Sequence, residues 1–170
     1  MTANQSRTLK TLMFSLFIFL SFATCSGQSS PRVLLNHLQG SWYMTGTVLN
    51  KPVKYTAEGV WLFHSQFFSI HFRDVAVPST YEGNLFIGID SAKNQYVAHW
   101  LDSFGGAGSR VVGFGPLSAE KIEIVYPYSE KNFRNTFQYS SAKGEWTLII
   151  ESEDTDGHWS VFAQYTIVRR

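Results

Sequence analysis

Five histidines are the first candidates for chemistry, at positions 37, 64, 71, 99 and 158. A helical metal pair needs His at i and i+4, and a metalloprotease needs His-Glu-any-any-His; neither spacing occurs. On a strand, residues i and i+2 share a face, and no two histidines stand that way. His64 and His71 fall on consecutive expected strands across a short link, so they could approach one another. A haem needs one axial His in an apolar cavity, and His99 and His158 are the candidates for that role. The plainer reading of each is a satisfied core His or a strand-edge His. No metal and no cofactor is expected.

The second candidate is Asp102-Ser103, just before Gly105-Gly106-Ala107-Gly108. A phosphate loop needs a helix N-terminus behind it to aim its amides. Here Arg110-Val111-Val112 follows, which reads as a strand, so the glycines are expected in a hairpin at the end of a sheet. Among the carboxylates, Glu151 and Glu153 share a face, but that face is the water side of an alternating strand. Asp102 is the one acid that could serve in an active site, alone or with His99. No Gly-any-Ser-any-Gly elbow occurs, and the only Cys, Cys25, lies near the N-terminus, so no hydrolase triad is supported.

The third signal is the aromatic share of 16%, with 14 Phe, 8 Tyr and 5 Trp. These rings exceed what one sheet face needs. They either fill a core or line a cavity that takes an apolar ligand through a few polar contacts. Trp42, Met44, His99, Trp100, Phe137 and Trp159 are the candidate ligand-binding residues.

The elements that must position these residues are strands. Ser30-Pro31 as cap and first turn, with Gly40 as a left-handed stop, predict one short helix with Val33, Leu34, Leu38 and His37 towards one side. After Gly40 the pattern has period two, with strands expected at 41–49, 58–65, 67–74, 83–90, 95–102, 109–115, 120–127, 132–140, 145–153 and 158–169. Asn50-Lys51-Pro52, Asp90 to Asn94, Ser141 to Gly144 and Asp154 to Gly157 read as breaks. In the last strand Trp159, Val161, Ala163, Tyr165 and Ile167 are expected on one face. Short links make sequence neighbours sheet neighbours. About ten strands in so few residues must curl, and the expected fold is all-β: an up-and-down antiparallel β-barrel with a short N-terminal helix. An immunoglobulin-type sandwich is the rival, but it uses fewer strands and crossing connections.

Residues 1–27 read as a secretory signal segment and 28–170 as the barrel domain. Arg7 and Lys10 precede the apolar run from Thr11 to Ala23, and small residues follow. The run is shorter than the ~20 apolar residues of a spanning helix. Phe22-Ala23-Thr24-Cys25 is also an imperfect form of the box that bacterial lipoproteins lipidate, so a lipid anchor at Cys25 is the one membrane link foreseen. An exported, periplasmic or secreted protein is the expectation. The formal charge of +1 leaves no footprint for nucleic acid. One Cys excludes an internal disulfide framework.

Two stretches carry a resemblance. A short helix followed by Gly40-Ser41-Trp42 on the first strand resembles the lipocalin and fatty-acid-binding group, the calycins. That resemblance implies a basic residue of the last strand packed over the Trp, closing the barrel floor; Arg169 or Arg170 would supply it, Arg169 by preference. The run Tyr81 to Asp90 followed by Asn94 to Gly105 is similar to the core of an uncharacterised bacterial lipocalin-like family. That family carries no agreed reaction, so the likeness implies a barrel rather than an activity. The expected function is binding of a small apolar or amphipathic molecule inside the barrel. The alternatives are an enzyme using Asp102 or His99, a haem carrier, and an envelope structural protein with a filled core.

Overall fold

The computed structural model describes residues 30–170. Residues 1–27, the expected signal segment, and with them Cys25 lie outside the described residues. The order is α1 (Pro31–His37), β1 (Gly40–Val48), β2 (Lys51–Leu62), β3 (Phe67–Asp74), β4 (Glu82–Asp90) and β5 (Gln95–Asp102). Then come β6 (Val112–Pro116), β7 (Lys121–Pro127), β8 (Asn132–Ser140), β9 (Glu145–Glu153) and β10 (Trp159–Arg169). Each strand pairs antiparallel with its sequence neighbours, and β1 also pairs with β10, so the sheet closes into a ten-stranded barrel. Closure removes the two long free edges that an open sheet of these strands would expose. The expected fold class is the observed one.

Three boundaries differ from expectation, each for a local reason. β2 begins at Lys51 rather than at 58, and Pro52 lies inside it. Leu49 and Asn50, with φ 48° and 63°, form a two-residue turn whose twist suits a hairpin, so β1 and β2 pair up to Val48↔Lys51. Pro52 lies ahead of the first β2–β3 pair, Tyr55↔Asp74, where no ladder on that side needs its missing N–H. At the other end β2 stops at Leu62, because Phe63, His64 and Ser65 all adopt left-handed φ and turn the chain. β6 starts at Val112 rather than 109; Ser109 and Arg110 belong to the preceding loop.

α1 plugs one end. Ser30 caps it, its side chain accepting from Val33 N, and Pro31 stands in the first turn. The helix buries Leu34, Leu35 and Leu38, whereas Val33 is 41% exposed, which corrects the expected face. A seven-residue helix is unstable alone and holds because these leucines cap the barrel interior. The Leu38 carbonyl would lie 2.2 Å from a Cβ at Gly59, so only glycine lets the helix end settle on β2. Trp42 Nε1 donates to the same carbonyl at 2.8 Å. The Arg169 guanidinium lies 3.9 Å from the Trp42 ring and donates to the carbonyls of Gln39 and His37. Arg170 instead lies over Tyr43 on the outer surface, 5.7 Å from its ring.

Inside this end the barrel is filled. Met44, Phe68, Tyr96, Phe137, Trp146 and Leu148 are all buried there or along the central layer, each from an inward position of its strand. β6 sends no side chain inward, because its inward positions are Gly113 and Gly115. A Cβ on Gly113 would come within 2.7 Å of Tyr126 and 2.6 Å of Ile124, so glycine makes room for side chains of the neighbouring strand.

Candidate functional site

Opposite α1 the barrel is open. The turn 49–50 and the links 75–81, 103–111, 128–131 and 154–158 surround this mouth. Below them is a cavity of about 660 Å³. Its walls come from pairs of residues two apart, as the strand period requires: Val53 and Tyr55 on β2, Trp100 and Asp102 on β5, Phe133 and Asn135 on β8. Tyr126, Ile150 and Tyr165 add the wall from β7, β9 and β10, and Tyr81 and Phe104 enter from loops.

The polar centre is Asp102. Trp100 Nε1 donates to Oδ2 at 3.1 Å, and the Tyr81 hydroxyl donates to the same oxygen at 3.5 Å. Phe104 N donates to Oδ1 at 3.0 Å. Trp100 Nε1 also reaches the Tyr81 oxygen at 3.3 Å. Stacking of Phe72 on Trp100, with centroids 5.2 Å apart, holds the indole in place. Tyr81 is outside any strand and is positioned by the loop. Asp74 N donates to the Tyr81 carbonyl, while the Asp74 carboxylate accepts from Ala76 N, Thr80 N and the Thr80 hydroxyl. These donors, the Thr80 hydroxyl first, hold the Asp74 carboxyl below its usual range.

Tyr55 packs edge-on to both Tyr81 and Tyr165, with centroids 5.6 Å and 5.9 Å apart. Burial pushes the phenols of Tyr81, Tyr126 and Tyr165 well up; Asp102 adds to the effect at Tyr81, and Tyr128 at Tyr126. Neutral phenols are hydrogen-bonding groups here, not nucleophiles. The Tyr126 hydroxyl is enclosed and has no hydrogen-bond partner among the described residues. Asn135, only 4% exposed, presents a second polar side chain at the wall.

The structure brings together only part of the expected site. Trp100 and Asp102 line the cavity. Trp42, Met44 and Phe137 are buried but do not line it. His99 is on the outward face of β5, opposite to Asp102, with Nε2 2.6 Å from the Ser109 carbonyl. The two therefore form no acid–base pair. His158 is exposed in the 154–158 turn, and His71 pairs with Glu82 at 2.6 Å. No His stands on the cavity wall to ligate a haem.

Trp159 is outside as well. A bulge between Val161 and Ala163 shifts the register of β10, so Ala163, Tyr165 and Ile167 point inward while Trp159 and Val161 point outward. The Trp159 ring packs under Arg134, 4.3 Å away, and Arg134 also pairs with Glu151 at 2.8 Å. The bulged residue Phe162 takes the place at the wall. Asp154, Asp156 and His158 bring ligand atoms within 4.8 Å of one another in the exposed turn. There the Asp154 carboxylate already accepts from the Asp156 and His158 N–H groups, which is how the turn is closed.

Tyr55, Tyr81, Tyr126, Asn135 and Tyr165 were not singled out by the sequence. Tyr126 and Tyr165 carried a usable signal, since they share strand parity with Ile122, Ile124 and Ile167. Tyr81 carried none.

No protein-family model matches this chain, and no curated protein matches it either. The closed ten-stranded antiparallel barrel, with its short helix, is compatible with a calycin-like fold. The narrower likeness to one bacterial lipocalin-like family goes no further than that architecture.

Proposed function

We propose that this protein is an exported, lipocalin-like binding protein that takes one small apolar or amphipathic molecule through the barrel mouth. One observation carries the reading: the α1 end is packed solid, while the mouth end holds about 660 Å³ walled mainly by rings. That volume lies in the range of small-molecule sites, and a few convergent polar groups are what such sites use for orientation. Asp102, Tyr81, Trp100 and Asn135 are those groups. The lipocalin-like assignment rests on Gly40-Ser41-Trp42 and Arg169, and export rests on the layout of residues 1–27.

The test is titration of the purified protein with N-phenyl-1-naphthylamine, a neutral dye whose emission rises in apolar surroundings. Saturable one-to-one binding, with energy transfer from tryptophan, is expected. Val53→Trp, which narrows the cavity, should weaken it. A dye emission that stays at its aqueous level would overturn the reading.

A further inference from the structure

The reading above leaves the ligand's charge open, and the cavity wall bears on it. Asp102 is the one carboxylate among the lining residues. Among the described residues no Lys, Arg or His forms an ion pair with it. Its oxygens accept only from neutral donors, Trp100 Nε1, Tyr81 Oη and Phe104 N. The wall thus carries a half-buried negative group oriented by dipoles and left without a countercharge.

We infer that the cavity selects a cationic amphiphile, an amine or quaternary ammonium on an apolar body, with its charged head beside Asp102 and the rings of Tyr81 and Trp100. The inference rests on the binding reading. Aromatic faces attract cations through the ring quadrupole, most strongly where water is excluded, and Trp is the best such partner. Tyr55, Tyr165 and Phe104 complete the ring-lined surroundings: Tyr55 contacts Tyr81 and Tyr165, and Phe104 lies 5.8 Å from Tyr81. A second carboxylate, Asp74, acts on the same wall: its field adds to burial in raising the Tyr55 phenol, as that of Asp102 does at Tyr81 and Tyr128. Two cations oppose this. Arg110 is tied to Glu130 at 3.3 Å. Lys51 touches the cavity from the rim, but it is exposed, and water and salt screen an exposed charge. An anionic amphiphile would have to set its head against Asp102 or leave it in water near Lys51.

The experiment compares three probes with one alkyl chain, each below its micelle concentration: decyltrimethylammonium, decanol and decanoate, titrated calorimetrically into the purified protein. The ammonium should bind about tenfold more tightly than the alcohol, with decanoate weakest. Asp102→Asn should bring the ammonium to the level of the alcohol, and Asp102→Glu should keep the preference. If decanol or decanoate binds as tightly as the ammonium, the cationic assignment falls and the binding cavity stands. If none of the three binds, and the neutral dye does not either, the binding reading falls with it. The ranking on the unmodified protein decides the matter even where a variant fails to fold.

Discussion

Tyr126 shows how a single atom can disclose tension in a fold. Its ring packs over Gly113 and forms cavity wall, yet its hydroxyl is enclosed without a partner. An unsatisfied buried hydroxyl costs about 1–3 kcal/mol, whereas an apolar replacement of the same shape costs nothing of the kind. Tyr126→Phe should therefore leave the protein as stable or raise its stability by up to about 1 kcal/mol. The urea midpoint measures this, and a fall of more than about 1 kcal/mol would show that the hydroxyl has a partner in solution. Arg134 shows the opposite case. It holds Glu151 at 2.8 Å and covers Trp159, so its charge and its flat face are both satisfied on the outer surface.

At the scale of elements, the closed end depends on one cation joining three pieces of chain. Arg169 on β10 covers Trp42 on β1 and binds the carbonyls of His37 and Gln39 at the end of α1. A cation near the last helical carbonyls is favourable in itself. Removing the guanidinium loses the ring contact and both charge-assisted bonds. Because Arg169 is exposed, the expected cost of Arg169→Ala is modest, about 1–2 kcal/mol. Arg169→Lys should recover part of it, since an ammonium keeps the charge but not the fork. Denaturant midpoints of the three proteins give the comparison; an unchanged midpoint in the alanine variant would mean the helix docks through Leu34, Leu35 and Leu38 alone. The opposite seam of the barrel is thinner: β6 has five residues and a single registered pair with β7, Phe114↔Val125.

At the scale of the whole molecule, closure decides the response to pH. Burial lifts the phenols of Tyr81, Tyr126 and Tyr165 far above their ordinary value of 10.0, and pushes Tyr96 up to about 12. A phenol raised in the folded state favours folding while it is protonated. Its contribution is complete below pH 10 and is lost as the pH climbs towards the folded-state value. The barrel should hold its stability at mildly alkaline pH and lose it above pH 10. Phenolate absorbance should show these four of the eight tyrosines ionising together with the loss of tertiary circular dichroism. Ionisation of all eight in one step near pH 10, with the fold intact, would contradict the enclosed packing.

The sequence by itself determined the class of fold and most of its parts. Period-two alternation, short links and turn residues specify hairpins, and many hairpins in a short chain must curl and close. The pairing of Trp42 with Arg169 was legible through the resemblance carried by Gly40-Ser41-Trp42, and closure of the barrel sets the two opposite one another as Trp42↔Arg169. Alternation shows which residues share a face but not which face is inside: His99 and Trp100 were both candidates, and of the two only Trp100, with Asp102, is on the cavity side. In β10 one bulge turns Trp159 out and Phe162 in, and nothing local in the sequence announces it. The tertiary structure alone decided which end is filled and which is hollow. That depends on how α1, the inward rings and the two glycines of β6 share the interior volume, and packing of that kind is set by neighbours distant in sequence. The placing of Tyr81 beside Asp102, 21 residues further on, also needs the closed barrel, although the loop that carries Tyr81 is held locally by Asp74 at the end of β3.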